Sequence, residues 1–274
     1  MSWYGACALC LEEKALSRSH LLPKSLYRLV RSEGAPNPNP FALVQTATQA
    51  NAALTSRQTA KHLLCSRCEN LLSSGGEKYV LAHCLRQDRT FPLRDKVFQC
   101  KPLLRAGREL LYHSSRNPSI KTSALLHFAA GVFWKASVSL WHAPVGGVTV
   151  RNSLGSTYEE AFRRYLIGAS PFPESARLMI WLCGEQDPPI IVLFPDAQRA
   201  HGHHAHRFFV PGLCFHMLVG RVLPRDVAPI WGSEPSEVPI LVHFARQDGV
   251  HQDAFNVLGK RTRDVVRRFQ RRSI

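Results

Sequence analysis

Four cysteines in two pairs, Cys7-Ala-Leu-Cys10 and Cys65-Ser-Arg-Cys68, are the residues whose type and spacing most directly imply chemistry. Two Cys-x-x-Cys pairs supply the four thiolates of a closed tetrahedral zinc site. A closed site leaves no open coordination position, so any reaction must use its neighbours. Those neighbours are an imidazole, an amide and carboxylates: His20 lies between the pairs, Glu69 and Asn70 follow Cys68 directly, and Glu77 comes eight residues after Glu69. An imidazole with an unperturbed pKa near 6.5 can take a proton from water at neutral pH. Carboxylate and amide oxygens suit a hard cation such as Mg²⁺.

The elements that must position these groups follow from local pattern. Ala15 to Leu22 reads as a short strand carrying His20, closed by Pro23, which has no N–H for a ladder. Lys24 to Arg31 reads as a short basic amphipathic helix. Gly34 to Pro40 holds three prolines in five positions and reads as an extended loop. Phe41 to Thr59 reads as a strand and a polar loop. Cys68 is expected to open a helix, with Ser73-Ser-Gly-Gly76 as an interruption. On a continuous helix, Glu69 and Glu77 would share a face.

These residues resemble zinc-bound HNH endonucleases with the ββα-metal fold, in particular the phage recombination endonuclease VII type. The likeness rests on His62-Leu-Leu-Cys65-Ser-Arg-Cys68-Glu-Asn-Leu-Leu-Ser-Ser-Gly-Gly76, preceded by a Cys-x-x-Cys pair and a strand-end histidine, and covers about residues 5–80. The resemblance implies that His20 activates water and that Glu69, with Asn70 beside it, helps hold one Mg²⁺ or Mn²⁺, Glu77 being a further candidate ligand. It implies zinc at Cys7, Cys10, Cys65 and Cys68 as a structural staple. Two positions depart from the pattern. The family has an acidic residue just before its histidine, where this chain has Ser19. It has Asn or His after the last cysteine, where this chain has Glu69. A carboxylate is thus removed on one side of the site and added on the other.

Charge distribution points to a polyanion. The chain has 35 Lys and Arg against 20 Asp and Glu, a net charge of +15. Residues 1–120 hold 17 basic against 8 acidic residues, residues 121–259 hold 11 of each, and residues 260–274 hold 7 against 1. Solubility charge would be spread evenly; an excess confined to the cysteine-bearing end and the last residues is the footprint of a nucleic-acid binder. Lys24, Arg28, Arg31, Lys61 and Arg67 are the candidate phosphate contacts near His20, and Arg261, Arg267, Arg268 and Arg271 those of the tail. Either group could instead be a solvated face or, for the tail, a contact to an acidic protein. DNA is the expected partner, with RNA the alternative.

The remaining sequence bounds the class. At 274 residues and 45% hydrophobic composition, two domains with packed cores are expected. Met1 to Cys7 shows no basic region followed by an apolar run, and no uncharged run reaches about 18 apolar residues, so neither a secretion signal nor a membrane span is expected and the cytoplasm is the expected compartment. Eight cysteines then read as reduced thiols or ligands; Cys84, Cys100, Cys183 and Cys214 read as core.

The expected fold class is α+β. A zinc-containing ββα-metal module with a basic connector occupies residues 1–118, with short strands at Val97–Gln99 and Leu103–Leu104. An accessory α+β domain occupies 119–274. In it, Ser123–Trp141 reads as a buried helix with Trp134 and Trp141 in the core. Thr157-Tyr-Glu-Glu160 reads as a capping box opening a helix that ends near Gly168. Runs at 177–183, 190–194, 208–210, 214–219 and 240–244 read as strands of a mostly antiparallel sheet, with a basic helix over 253–272. This domain would select a target, dimerise or bind a partner. His201-Gly-His-His-Ala-His206 reads as an exposed loop. A Cys₄-stapled nucleic-acid binder without catalysis and a structural subunit of a larger complex are the competing functions.

Overall fold

The computed structural model describes residues 3–31, 41–45, 50–54, 58–107, 109–143, 146–148, 150–184, 190, 192–200, 203–220, 231 and 234–244. The expected tail helix, with Arg261, Arg267, Arg268 and Arg271, lies outside them, as does the proline-rich loop at 34–40.

The first part of the chain runs β1 (Trp3–Ala6), β2 (Glu13–His20), α1 (Lys24–Leu29), β3 (Phe41–Gln45), β4 (Ala50–Leu54), β5 (Ala60–Cys65) and α2 (Ser66–Leu72). Strands β1, β2 and β5 form an antiparallel sheet in that order, and β3 pairs β4 in a separate hairpin. In the three-stranded sheet Trp3 faces Leu16, Leu16 faces Cys65 and His20 faces Ala60, with a bulge at Ser17/Arg18. Strand β2 therefore ends at His20, and Pro23 caps α1. Beyond α2 the chain stays helical through a π-helical segment (Ser73–Glu77) and α3 (Lys78–His83). The expected interruption at Ser73–Gly76 is thus a widened turn. Its glycines are there for contact: a Cβ on Gly76 would lie 2.5 Å from the Ala124 carbonyl oxygen and 2.6 Å from the Phe128 nitrogen. The two backbones meet only because the side chain is missing.

The second part runs α4 (Pro92–Phe98), β6 (Leu104–Ala106), β7 (Glu109–His113), α5 (Thr122–Val138), β8 (Trp141–Ala143), β9 (Gly146–Val148), α6 (Ser156–Leu166), β10 (Ala176–Cys183), β11 (Leu193–Ala200), β12 (His203–Val210), β13 (Leu213–Val219) and β14 (Pro239–His243). Seven of these strands form one sheet in the order β11-β12-β13-β10-β14-β7-β6, antiparallel except for the β10–β14 pair. The protein is therefore mixed α and β, with the mostly antiparallel large sheet that the sequence pattern implied. That sheet draws β6 and β7 from residues before 119.

Helix α5 is the centre of the molecule. Thirteen of its seventeen residues are buried. Phe128 and Phe133 meet Phe208 of the large sheet edge-on at 5.6 and 4.9 Å, and Phe128 also meets Phe215 at 5.3 Å. On its other side α5 packs against the π-helical segment and α3, so one continuous apolar core includes Leu22, Leu72, Val80, Phe128 and Phe215. Edge-to-face pairs of this kind add about 0.5–1.5 kcal/mol each beyond simple burial.

Three local expectations are corrected. Val97 is in helix α4, because Pro92 at its first position and a buried Leu93/Val97 stripe favour a helix over a strand. Helix α6 begins at Ser156 behind Gly155, whose φ of +75° favours glycine at the cap, so Thr157 lies inside the helix and Glu160 pairs with Arg163 rather than capping. His203–His206 lies in strand β12, where His206 is buried against the Phe133 ring; alternation with Phe208 and Val210, which share its face, overrides the loop reading. Trp134 and Trp141 are core as expected, each 1% exposed.

Candidate metal centre and its neighbours

Cys7 follows β1 directly and begins a turn in which its N–H is donated to the Glu12 carbonyl at 2.9 Å and its own carbonyl accepts from Leu11 at 2.8 Å. Leu11 takes a positive φ of 65° to close the turn. Cys65 ends β5 and caps α2 in extended conformation, so Cys68 comes back one turn later. The sulfur atoms of Cys7, Cys10, Cys65 and Cys68 all lie within 4.8 Å of one another. The Cys10 and Cys65 sulfurs are 4.0 Å apart. A zinc tetrahedron with bonds of about 2.3 Å has sulfur–sulfur edges of about 3.8 Å. The cluster could therefore hold a metal such as zinc, with the sulfurs drawing slightly closer around it.

The backbone favours charge on Cys7, while burial pushes the Cys10 and Cys68 thiols up. The Cys65 N–H is donated to the Cys7 sulfur at 3.3 Å. Burial opposes ionisation of Cys7, but amides of Cys10, Cys65 and Leu9 outweigh it and bring the thiol down to about 7. From α6, Arg163 holds Glu160 through two contacts of 2.7 and 2.8 Å and donates to the Leu9 carbonyl at 2.9 Å, bracing the knuckle.

His20 is the last residue of β2 and half-buried. Burial pushes its imidazole below the ordinary value; a hydrogen bond with Gln58 opposes this, and the charges of Arg18, Lys135 and Lys24 add to the depression. The Tyr27 ring stands 6.5 Å away, tilted. Ser19 is fully buried, and its hydroxyl accepts the Leu64 N–H at 3.1 Å. The position where the resembled family has a carboxylate is thus a structural cross-strand bond.

Sequence reasoning missed Lys135. It is 1% exposed in the last turn of α5, and its ammonium donates to the His20 carbonyl at 3.0 Å and to Glu77 Oε1 at 3.2 Å. The π-helical turn delivers Glu77 to this point. Three distant pieces of chain are joined by one ammonium. The detectable signal was a single lysine in the otherwise uncharged run Phe128–Trp141, which has to find an anion or carbonyls once buried.

Glu69 lies one residue past Cys68, half-buried, and its Oε1 is buried with no hydrogen-bond partner among the described residues. Asn70 is exposed beside it. Among the described residues the four cysteines are the one group of three or more His, Cys, Asp or Glu that could hold a metal; His20, Glu69 and Glu77 do not draw together into another. Lys24, Arg28, Arg31 and Arg67 are exposed. Lys61 is directed elsewhere: its ammonium is donated to Ser139 Oγ at 2.5 Å.

Comparison with known protein families, with curated proteins and with solved structures gave no match. Among the described residues, no helix is long and apolar enough to cross a membrane. The fold and the site define a mixed α/β protein with a Cys₄ cluster able to hold a metal.

Proposed function

We propose that the chain is a metal-dependent endonuclease of the HNH type that hydrolyses phosphodiester bonds of nucleic acid, DNA first. The observation that carries this reading is the joining of the His20 strand to the Glu69 helix through the cysteine cluster: Leu16 of β2 faces Cys65, and Glu69 follows Cys68. A zinc ion there would act as a staple only.

In this reading the neutral His20 imidazole takes a proton from the attacking water. Its depressed pKa keeps it in the base form into mildly acidic solution. Gln58 orients the ring through its hydrogen bond, with the Tyr27 ring beside it, while Lys135 fixes the strand end through the His20 carbonyl. The orphaned buried oxygen of Glu69 fits a cation, with Asn70 as its neighbour. Mg²⁺ or Mn²⁺ bound there would offset charge on the phosphate and the leaving oxygen. Glu77, held by Lys135, serves the site by fixing that ammonium. Lys24, Arg28, Arg31 and Arg67, all exposed, would meet backbone phosphates. The part after residue 118 would supply target selection or a homodimer or partner contact.

The competing reading is a Cys₄-stapled nucleic-acid binder without catalysis, favoured by the occupied Ser19 hydroxyl. Plasmid nicking with Mg²⁺ or Mn²⁺, run on the wild type and His20→Ala, separates the two. Nicking by the wild type alone, with an acid limb midpoint below about 6.5, is the expected outcome. Equal nicking by both proteins, or none by the wild type on DNA or RNA, removes the nuclease reading.

A further inference from the structure

Strand β2 alternates without interruption, because the extra residue of its bulge, Leu63, belongs to β5. One face of the small sheet therefore presents Lys14, Leu16, Arg18 and His20 from β2. The register sets Trp3 of β1 opposite Leu16 and His62 of β5 opposite Arg18. None of these side chains is buried. None is a carboxylate: Glu13 of β2 alternates to the opposite face, and Glu12 before it is paired with Lys14.

The aromatic pair on this face is built. The Trp3 and His62 rings stack with centroids 5.3 Å apart and planes 18° from parallel. The His62 ring is pinned from below, its Nδ1 3.1 Å from the Leu16 carbonyl, which makes that nitrogen the protonated one. Trp3 is nevertheless 64% exposed. A large apolar ring fixed in position with most of its surface in water, and no acidic neighbour on its face, is the arrangement on which nucleobases stack.

We propose that this face of the three-stranded sheet is a stacking platform for single-stranded nucleic acid, with Trp3 receiving a base and Arg18 a phosphate on the way to His20. It deepens the nuclease reading, resting on it for the direction of the strand, and names the substrate class as unpaired strand. Stacking is sequence-tolerant, because every base has a π-face. A paired duplex hides those faces, so the platform discriminates against it.

The test uses the full chain carrying His20→Ala, so that bound strand persists, and an oligothymidylate of about 12 nucleotides, within the usual range of site sizes. Trp134, Trp141 and Trp231 are buried and Trp181 is half-buried, so quenching of tryptophan emission on binding reports mainly on Trp3. Adding Trp3→Ala is expected to abolish the quenching and weaken binding about 5- to 100-fold, the worth of one stacked base. Arg18→Glu is expected to weaken binding and flatten its salt dependence. Unchanged affinity in the Trp3→Ala protein, or no binding of the oligomer at all, overturns the platform. So does a duplex of equal length that competes as well as single strand. The two readings fail separately. Trp3-dependent binding by a wild type that cleaves nothing removes the nuclease and keeps the platform. Cleavage of single strand at an unchanged rate by Trp3→Ala does the reverse.

Discussion

Replacing Lys135 with methionine removes a buried ammonium while keeping the unbranched stem that fills α5. The structure sets the size of the effect. At 3.2 Å from Glu77 Oε1, the gross attraction is about 5 kcal/mol at an effective dielectric near 20. Burying the ammonium offsets much of that in the intact protein. The variant recovers the lysine's desolvation but leaves the Glu77 carboxylate and the His20 carbonyl without their donor. Truncating one partner of a buried pair costs about 3–5 kcal/mol. Glu77 keeps some water, its side chain being 17% exposed against 2% for Lys135, so the lower end applies, about 3 kcal/mol. For a chain of this size that is a fall in Tm of about 6–12 °C. Differential scanning calorimetry with zinc held saturating reads it directly. Adding Glu77→Leu should restore part of the loss, because the stranded carboxylate is gone, giving a coupling of about 2 kcal/mol in the double-mutant cycle. An unchanged Tm in Lys135→Met, or strictly additive losses, would refute the view that this ammonium holds the two halves of the site together.

Cys68→Ser should cost the chain its metal, because a hydroxyl at the closing ligand replaces a thiolate at the buried end of α2. Atomic emission should read one zinc per wild-type chain and far less in the variant, with limited proteolysis opening the segment between Cys10 and Cys65. His206 gives a pH prediction of definite sign. Burial, aided by the charges of His204 and His216, lowers its pKa to about 4, whereas the unfolded chain takes the proton near 6.5. The unfolded state therefore binds protons first, and stability present above about pH 6.5 declines by about 3 kcal/mol as pH falls to about 4. Urea midpoints across that range should drop in the wild type and stay flatter in His206→Gln; identical slopes would count against the assignment.

How much of this was legible in the sequence depends on whether a feature is local. The cysteine pairs were, because four soft ligands at that spacing have few uses other than holding a metal. The strand carrying His20 and the helix carrying Cys68 were legible as elements but not at their ends: the strand stops at His20 rather than Leu22, and the helix opens at Ser66 rather than Cys68. Gly75-Gly76 was misread for a physical reason: glycine signals either a flexible break or a close approach, and only the partner decides. Here the partner is α5, whose backbone at Ala124 and Phe128 lies where a Cβ would be. The same helix explains why Glu77 belongs with His20 through Lys135 and not with Glu69 through helical phase. The π-helical turn shifts that phase, and π-turns of this kind recur where function demands a side chain off its regular heading. A periodicity argument, which assumes 3.6 residues per turn throughout, has no means of finding it. Lys135 itself was visible as an anomaly: a charge in an apolar helix must be matched, and the match had to come from elsewhere in the chain. What sequence could not supply was which anion. The answer required knowing that α5 crosses behind the end of β2, a contact between residues 115 positions apart. Sites assembled by such long-range contacts are recognisable beforehand as unmatched charges, and their partners appear only once the core is built around them.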